Sequence, residues 1–317
     1  AYEIGVRLVG SEMCIRDSLI INQKSFKIRT MKFAAVQMNS TDIVEDNLLI
    51  AQSLIIQAKE EGANIVLLPE YFAFMGSPKQ LIKEVMEDFE KGPIQSFISQ
   101  QAQDQDIWIV AGSIPIKCNE ADKNFARCIV YDNKGRMVTY YDKIHLFDVT
   151  VHGKQYYESS SIKAGNKPVS VKTPWCTVGL SICYDIRFPE LYRSSNICGV
   201  DVLTVPAAFT KETGQAHWQT LLTSRAVENL SYVVASAQWG EHYGSRTTYG
   251  NSLIINPWGE TMDLLRTGNG IVISDIDLDQ IKSIRESFPA LNHKVSVSYT
   301  HLRAHETDSY LVCRLLL

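Results

Sequence analysis

Three stretches of this chain set a side chain that can take part in bond-making at the end of an apolar run or within one. The first ends at Cys183, in Ser181-Ile182-Cys183-Tyr184-Asp185-Ile186-Arg187-Phe188-Pro189-Glu190, directly after the apolar residues Val178 to Ile182. That run reads as a buried strand, and Pro189 opens a helix-like segment, so the thiol falls where strand turns into helix. A cysteine there can be held at the rim of a sheet, facing a cleft. The amides of the turn can stabilise negative charge on a reacting oxygen. The second run, Ile65-Val66-Leu67-Leu68-Pro69-Glu70, brings a carboxylate to a strand mouth. Partial desolvation there raises a carboxylate pKa toward the general-base range. In the third, Tyr140-Tyr141-Asp142-Lys143-Ile144-His145-Leu146-Phe147-Asp148, a lysine sits among apolar and aromatic neighbours. Its charge suits a tetrahedral intermediate. The usual base for a cysteine nucleophile is histidine; none lies beside Cys183 in sequence, although one could arrive through the fold. Taken singly, these residue types are more often a packed thiol, a capping carboxylate and a surface lysine.

Together and in order, Leu67-Leu68-Pro69-Glu70, Asp142-Lys143-Ile144-His145-Leu146 and the octet from Cys183 to Glu190 resemble the three catalytic blocks of the nitrilase superfamily of carbon-nitrogen hydrolases. The resemblance runs from about Met31 to about Lys294. Cys183-Tyr184-Asp185, in place of the Cys-Trp-Glu of true nitrilases, is similar to the Nit branch of amidases. So are Pro206-Ala207-Ala208-Phe209-Thr210, Thr213-Gly214-Gln215-Ala216-His217-Trp218, Ser224-Arg225-Ala226-Val227-Glu228-Asn229 and Asn256-Pro257-Trp258-Gly259-Glu260.

The resemblance implies a four-layer α-β-β-α sandwich and a thiol mechanism without metal or other cofactor. In it Glu70 is general base, Cys183 the nucleophile, and Lys143 with the Tyr184 amide the oxyanion site. Glu158, in Tyr156-Tyr157-Glu158-Ser159, matches a second glutamate that orients the lysine and the substrate amide. Phe209 and Thr213 match positions lining the acyl pocket. Arg187 could clamp a substrate carboxylate in bidentate fashion, or equally form a structural salt bridge to Glu190 or Glu228. The implied reaction is hydrolysis of the primary ω-amide of a small α-keto acid, of the deaminated-glutathione type, through a cysteine thioester with release of ammonia. The motifs around Gln238 to His242 and Arg246 to Gly250 favour that substrate; 2-oxoglutaramate or 2-oxosuccinamate is the alternative. His152 stands where the branch commonly has proline. A reading of another class is a catalytically silent partner protein of the same fold. The family commonly dimerises, so a homodimer or higher homo-oligomer is expected.

The elements that must position these residues follow from periodicity. Phe33 to Met38, Ile65 to Leu68 and Ile107 to Gly112 read as buried strands, with helical spacing over 43–60 and 78–104. Asp132-Asn133-Lys134-Gly135 is a hairpin turn between strands. After Cys183, the strand 202–205, a helix over 215–229 and the strand 232–235 alternate again, and 251–256 with 270–277 read as a closing hairpin around Pro257-Trp258-Gly259. The alternation argues α/β, and no composition break divides it, so 31–295 reads as one domain.

Composition sets the remaining bounds. Hydrophobic residues make up 45% and charged residues 21% of 317, the balance of an ordinary globular protein. A net charge of −4 supplies no basic surface for nucleic acid or an anionic membrane. Seven cysteines at irregular spacing make neither a disulfide framework nor a Cys-x-x-Cys metal site, which reads as a reducing cytoplasm. His145, His152, His217 and His242 have no metal-ligand spacing, and Cys118, Cys128, Cys176 and Cys198 read as packing residues. Residues 1–18 and 296–317 lack amphipathic period and resemble translated adapter read-through, so they are expected to be non-native; 19–30 is an uncertain leader, with Met31 as the expected native start.

Overall fold

A computed structural model describes residues 30–76, 79–151 and 153–295; the expected tails 1–18 and 296–317, nearly all of the leader, and His152 lie outside the described residues. The first half runs β1 (Thr30–Gln37), α1 (Val44–Glu60), β2 (Ile65–Leu67), α2 (Lys79–Val85), α3 (Pro93–Asp104), β3 (Trp108–Val110), β4 (Ile114–Lys117), β5 (Asn124–Tyr131) and β6 (Met137–Asp142). A small hairpin follows, β7 (Asp148–Val151) and β8 (Lys154–Tyr157). The second half runs β9 (Ser170–Lys172), β10 (Thr177–Leu180), α4 (Pro189–Tyr192), β11 (Val202–Ala207), α5 (Lys211–Asn229) and β12 (Tyr232–Ala237). Then come the ribbon β13 (Trp239–His242) and β14 (Arg246–Tyr249), the strands β15 (Ser252–Ile255), β16 (Thr261–Leu265) and β17 (Gly270–Asp277), and α6 (Leu278–Ser287).

Two six-stranded paths form, β17-β1-β2-β3-β5-β4 with β6 beside β5, and β16-β15-β12-β11-β10-β9. At the centre of each, β1-β2-β3 and β10-β11-β12 pair in parallel. Parallel neighbours need a crossover, which α1 supplies between β1 and β2 and α5 between β11 and β12. The two-residue period of a strand then sorts side chains into layers. Phe33, Ala35, Ile65, Leu67 and Val110 enter a core shared with Val178, Leu180 and Val205 of the other sheet, continuing to Trp218 and Leu222 of α5. Ala34, Val36, Val66 and Ile109 point the other way, onto Leu54, Ile55, Ile98 and Ala102 of α1 and α3. This is the four-layer α-β-β-α sandwich, and strands buried on both faces explain why they read as unbroken apolar runs.

Three local expectations are corrected. The helical stretch 78–104 is two helices, because Gly92 takes φ 152°, a conformation that favours glycine, and Pro93 occupies the first turn of α3. Buried Glu87 caps that new start by accepting from Gln95 N at 3.1 Å. The closing hairpin pairs β15 with β16, whereas β17 crosses to pair with β1 over eight residues; it satisfies the backbone of an edge that would otherwise stay open. Cys128 and Cys176 are packed, but Cys198 is exposed.

Candidate active site

Each sheet brings one candidate site residue to a sharp corner. Beyond β2, Pro69 ends the strand and Glu70 is only 1% exposed. Tyr71 then adopts φ 58°, a left-handed conformation that costs a non-glycine residue, and its N–H donates to Ser113 Oγ at 2.8 Å. Gln238 Nε2 donates to the Glu70 carbonyl at 3.0 Å, pinning the corner from the ribbon side. Beyond β10, Cys183 adopts φ 49° and opens a 3-10 turn over Cys183–Arg187. The Tyr184 N–H lies in the first turn of that helix, where amides lack intrahelical acceptors.

Lys143, just past β6, joins the two corners. Its Nζ donates to Glu70 Oε1 at 2.8 Å and to Glu158 Oε1 and Oε2 at 2.8 and 2.9 Å. Glu70 Oε2 accepts from Ala208 N at 2.8 Å. Glu158 also accepts from Phe147 N and from the Tyr71 hydroxyl. Three charges are thus withdrawn from water with their lone pairs and protons assigned, the condition under which a buried ionic network is tolerated.

The electrostatics follow from that burial. Desolvation works to lower the Lys143 pKa, but Glu158 and then Glu70 outweigh it and hold the ammonium well above its usual value. Desolvation would raise Glu158; the Lys143 charge and hydrogen bonds, with the Phe147 amide, bring it below the ordinary carboxylate range. Burial pushes the Cys183 thiol well up, and the Glu70 charge adds to this, against the smaller opposing pull of Lys143 and the Ala208 amide. The sulfur at rest is therefore a thiol, with the Glu70 side chain beside it.

Glu70, Lys143, Glu158, Cys183, Tyr184, Phe209 and Thr213 all line one cavity of about 230 Å³. Phe209 packs on Trp218 with ring centroids 4.7 Å apart, and the Thr213 hydroxyl pairs with that of Thr210 at 2.8 Å. Arg187 is placed differently: it lies outside the lining, with its guanidinium 3.3 Å from His217 Nδ1 and 5.4 Å from the Phe209 ring centroid. The expected salt bridge to Glu228 is formed by Arg225 and Arg193 instead. No histidine lines the cavity among the described residues. His145 is turned onto Phe188, stacked at 3.8 Å, and onto Asp185 at 2.7 Å.

Four contributors escape sequence reasoning. Asp185, fully buried, accepts from Ile182 N, His145 N and the Tyr141 hydroxyl, so one carboxylate ties the Cys183 corner to the Lys143 loop. Its signal was local: an acid just inside a helical turn reaches back to the residue before the turn. Ala208 and Arg246, which also line the cavity, and Gln238 fall within the motifs quoted above, but nothing local gives any of them a role in the site. No helix among the described residues is long and apolar enough to cross a membrane. No cluster of three or more His, Cys, Asp or Glu among them is arranged to hold a metal ion.

Between the sheet ends of this sandwich a cysteine, two carboxylates and a lysine converge on one cavity. The carbon-nitrogen hydrolase family model matches residues 32–286, and the chain belongs to that family. It is 41% identical over 268 residues to the deaminated glutathione amidase of a Synechocystis strain, covering 83% of this chain and 98% of that one. It is 38% identical to omega-amidase NIT2 of Homo sapiens, over 85% of this chain and 97% of that one. The crystal structure of the C. elegans NitFhit protein superposes with a TM-score of 0.79 at 35% identity, covering 84% of this chain and 65% of that longer one. The chain is an amidase-type hydrolase of the branch that contains these relatives.

Proposed function

We propose that this protein hydrolyses the amide of a small 2-oxo acid through a thioester on Cys183, with deaminated glutathione as its substrate. The observation that carries the reading is the meeting of Glu70, Lys143 and Glu158 beside Cys183 in one small cavity. Glu70 takes the Sγ proton as the sulfur attacks the amide carbon, because the raised thiol pKa leaves little free thiolate beforehand. Lys143 Nζ and the Tyr184 N–H receive the charge on the carbonyl oxygen. Glu158 holds Lys143 in place. The carbon–nitrogen bond breaks as protonated Glu70 returns its proton to the leaving nitrogen. Water then attacks the thioester, giving its proton to Glu70, and the acid leaves as the proton passes back to Sγ.

The leaving group follows from the substrate, and for deaminated glutathione the chemistry corrects the primary amide and ammonia release expected from the sequence. Deaminated glutathione is glutathione without its free amino group; the amide that links its 2-oxo acyl group is secondary, so cysteinylglycine departs from it. Ammonia departs from a primary amide such as 2-oxoglutaramate, the alternative favoured by the likeness to omega-amidase NIT2. Product release from both amides, measured for wild type and Cys183→Ala, tests the reading. Release abolished in the variant supports it; equal rates in the two proteins sink the nucleophile, and no release by folded wild type favours a catalytically silent partner.

A homodimer in the cytoplasm completes the proposal. Exposed Trp258 and Phe288 meet at 6.2 Å near exposed Val227, an apolar patch suited to a second copy. The described cysteines are all free thiols, as a reducing compartment requires. A single-chain mass in sedimentation, or recovery in an oxidising compartment on cell fractionation, would contradict these statements.

A further inference from the structure

One cation in the cavity has no part in that chemistry. Lys143 is matched by two carboxylates. Arg246 lines the same cavity, and among the described residues no carboxylate pairs with it. Its Nη2 donates to the Ala208 carbonyl at 3.2 Å, its guanidinium lies 5.7 Å from the Tyr71 ring centroid, and its buried Nε donates to no protein acceptor. A guanidinium held by a carbonyl and a ring keeps a planar fork for a carboxylate that the protein itself does not supply.

We infer that Arg246 is the specificity residue that receives the carboxylate of the substrate's acyl part while the amide lies on Cys183. The inference rests on the amidase reading above and deepens it. Two carboxylates already line the floor, so an acidic substrate entering about 230 Å³ meets repulsion unless a second, unspent positive charge faces it. Ala208 sets the spacing: its N–H holds Glu70 and its carbonyl holds Arg246, so base and cation stand on two sides of one residue. A short acyl chain can span that distance. The arginine is also carried on a fixed element. Arg246 pairs in register with His242, and the His242 ring is clamped between the Ser40 carbonyl at 2.8 Å and the Thr248 hydroxyl at 2.6 Å. Arg187, against His217 and outside the lining, has no comparable access.

The test is a ratio: kcat/KM for 2-oxoglutaramate over kcat/KM for the neutral amide butyramide, in wild type, Arg246→Gln, Arg246→Lys and Arg187→Gln. The expected result is a fall of about 100-fold in Arg246→Gln, carried by KM for the acidic amide, with partial recovery in Arg246→Lys. Calorimetry of 2-oxoglutarate binding to Cys183→Ala, with and without Arg246→Gln, repeats the comparison without turnover; weakening of tenfold or more is expected. An unchanged ratio, an equal loss on both amides, or a collapse in Arg187→Gln instead overturns the inference while leaving the amidase reading intact. Wild type inactive on both amides, and on deaminated glutathione, would overturn the two together.

Discussion

At the floor of the cavity, Lys143 and Glu70 are each 1% exposed, and the charged groups meet partners on three different elements. At the mouth, Tyr157 is 64% exposed, and Arg187 rests against His217 and the rings of Tyr184 and Phe209. The floor is built from strand ends, where two sheets fix backbone positions before any side chain is chosen. The mouth is built from the β7–β8 hairpin, the Arg187 end of the turn after Cys183 and the β13–β14 ribbon, where most side chains stand nearer to solvent. A change at the floor therefore breaks a network, whereas a change at the mouth retunes which molecule fits.

The largest effect expected from that contrast is at Lys143. Lys143→Met leaves Glu70 and Glu158 buried without their cation, and urea denaturation should show a loss of about 3–5 kcal/mol together with loss of turnover. Stability within about 0.5 kcal/mol of wild type would mean that the floor is not a coupled network. Asp185→Asn comes next. It keeps the shape but weakens the tie between the Cys183 corner and the Lys143 loop, so kcat should fall about 100-fold with KM little changed. A change in KM alone would place Asp185 in binding.

Cys183 supplies a pH test. Burial and Glu70 raise its pKa on folding, so the folded protein holds the thiol proton more tightly than the unfolded chain. The resulting stability is fully present below the ordinary thiol pKa and is lost as pH rises toward the folded value. Iodoacetamide alkylation of Cys183 should accordingly keep climbing through the ordinary thiol range without levelling. A plateau near neutral pH would indicate a preformed thiolate and remove the need for a base. The smallest effect belongs to the start of α5, outside the charged network: Thr210 caps the helix by accepting from Thr213 N, so Thr210→Ala should cost about 1 kcal/mol in thermal unfolding. A much larger loss would extend the coupling of the floor to this helix start.

The same contrast governs what is legible in the sequence. Glu70 and Cys183 stand out because each follows an apolar run that a strand must bury, and Lys143 because it is a cation among apolar and aromatic neighbours; the alternation of runs and helices gives α/β, and the resemblance gives the sandwich. Glu158 is found through resemblance, since a loop glutamate has no local mark. Ala208 and Gln238 could not be found locally: they reach Glu70 across 138 and 168 residues of chain, a distance only the folded sheets close. Arg246 comes near by the same route. Arg187 shows the converse, since proximity in sequence to Cys183 suggested a substrate contact, whereas the folded turn sets its guanidinium against His217. The β17 strand teaches the same lesson for the fold, because its pairing with β1 at the opposite end of the chain overrides the nearer hairpin.

Acid quench of wild type during turnover of 2-oxoglutaramate, followed by peptide mass spectrometry, tests the central assignment most directly. The account predicts an oxoacyl mass on the peptide containing Cys183, absent from Cys183→Ala, which should also lose turnover by about 10⁶-fold. Turnover persisting in Cys183→Ala, or an acyl group found on another residue, would contradict it.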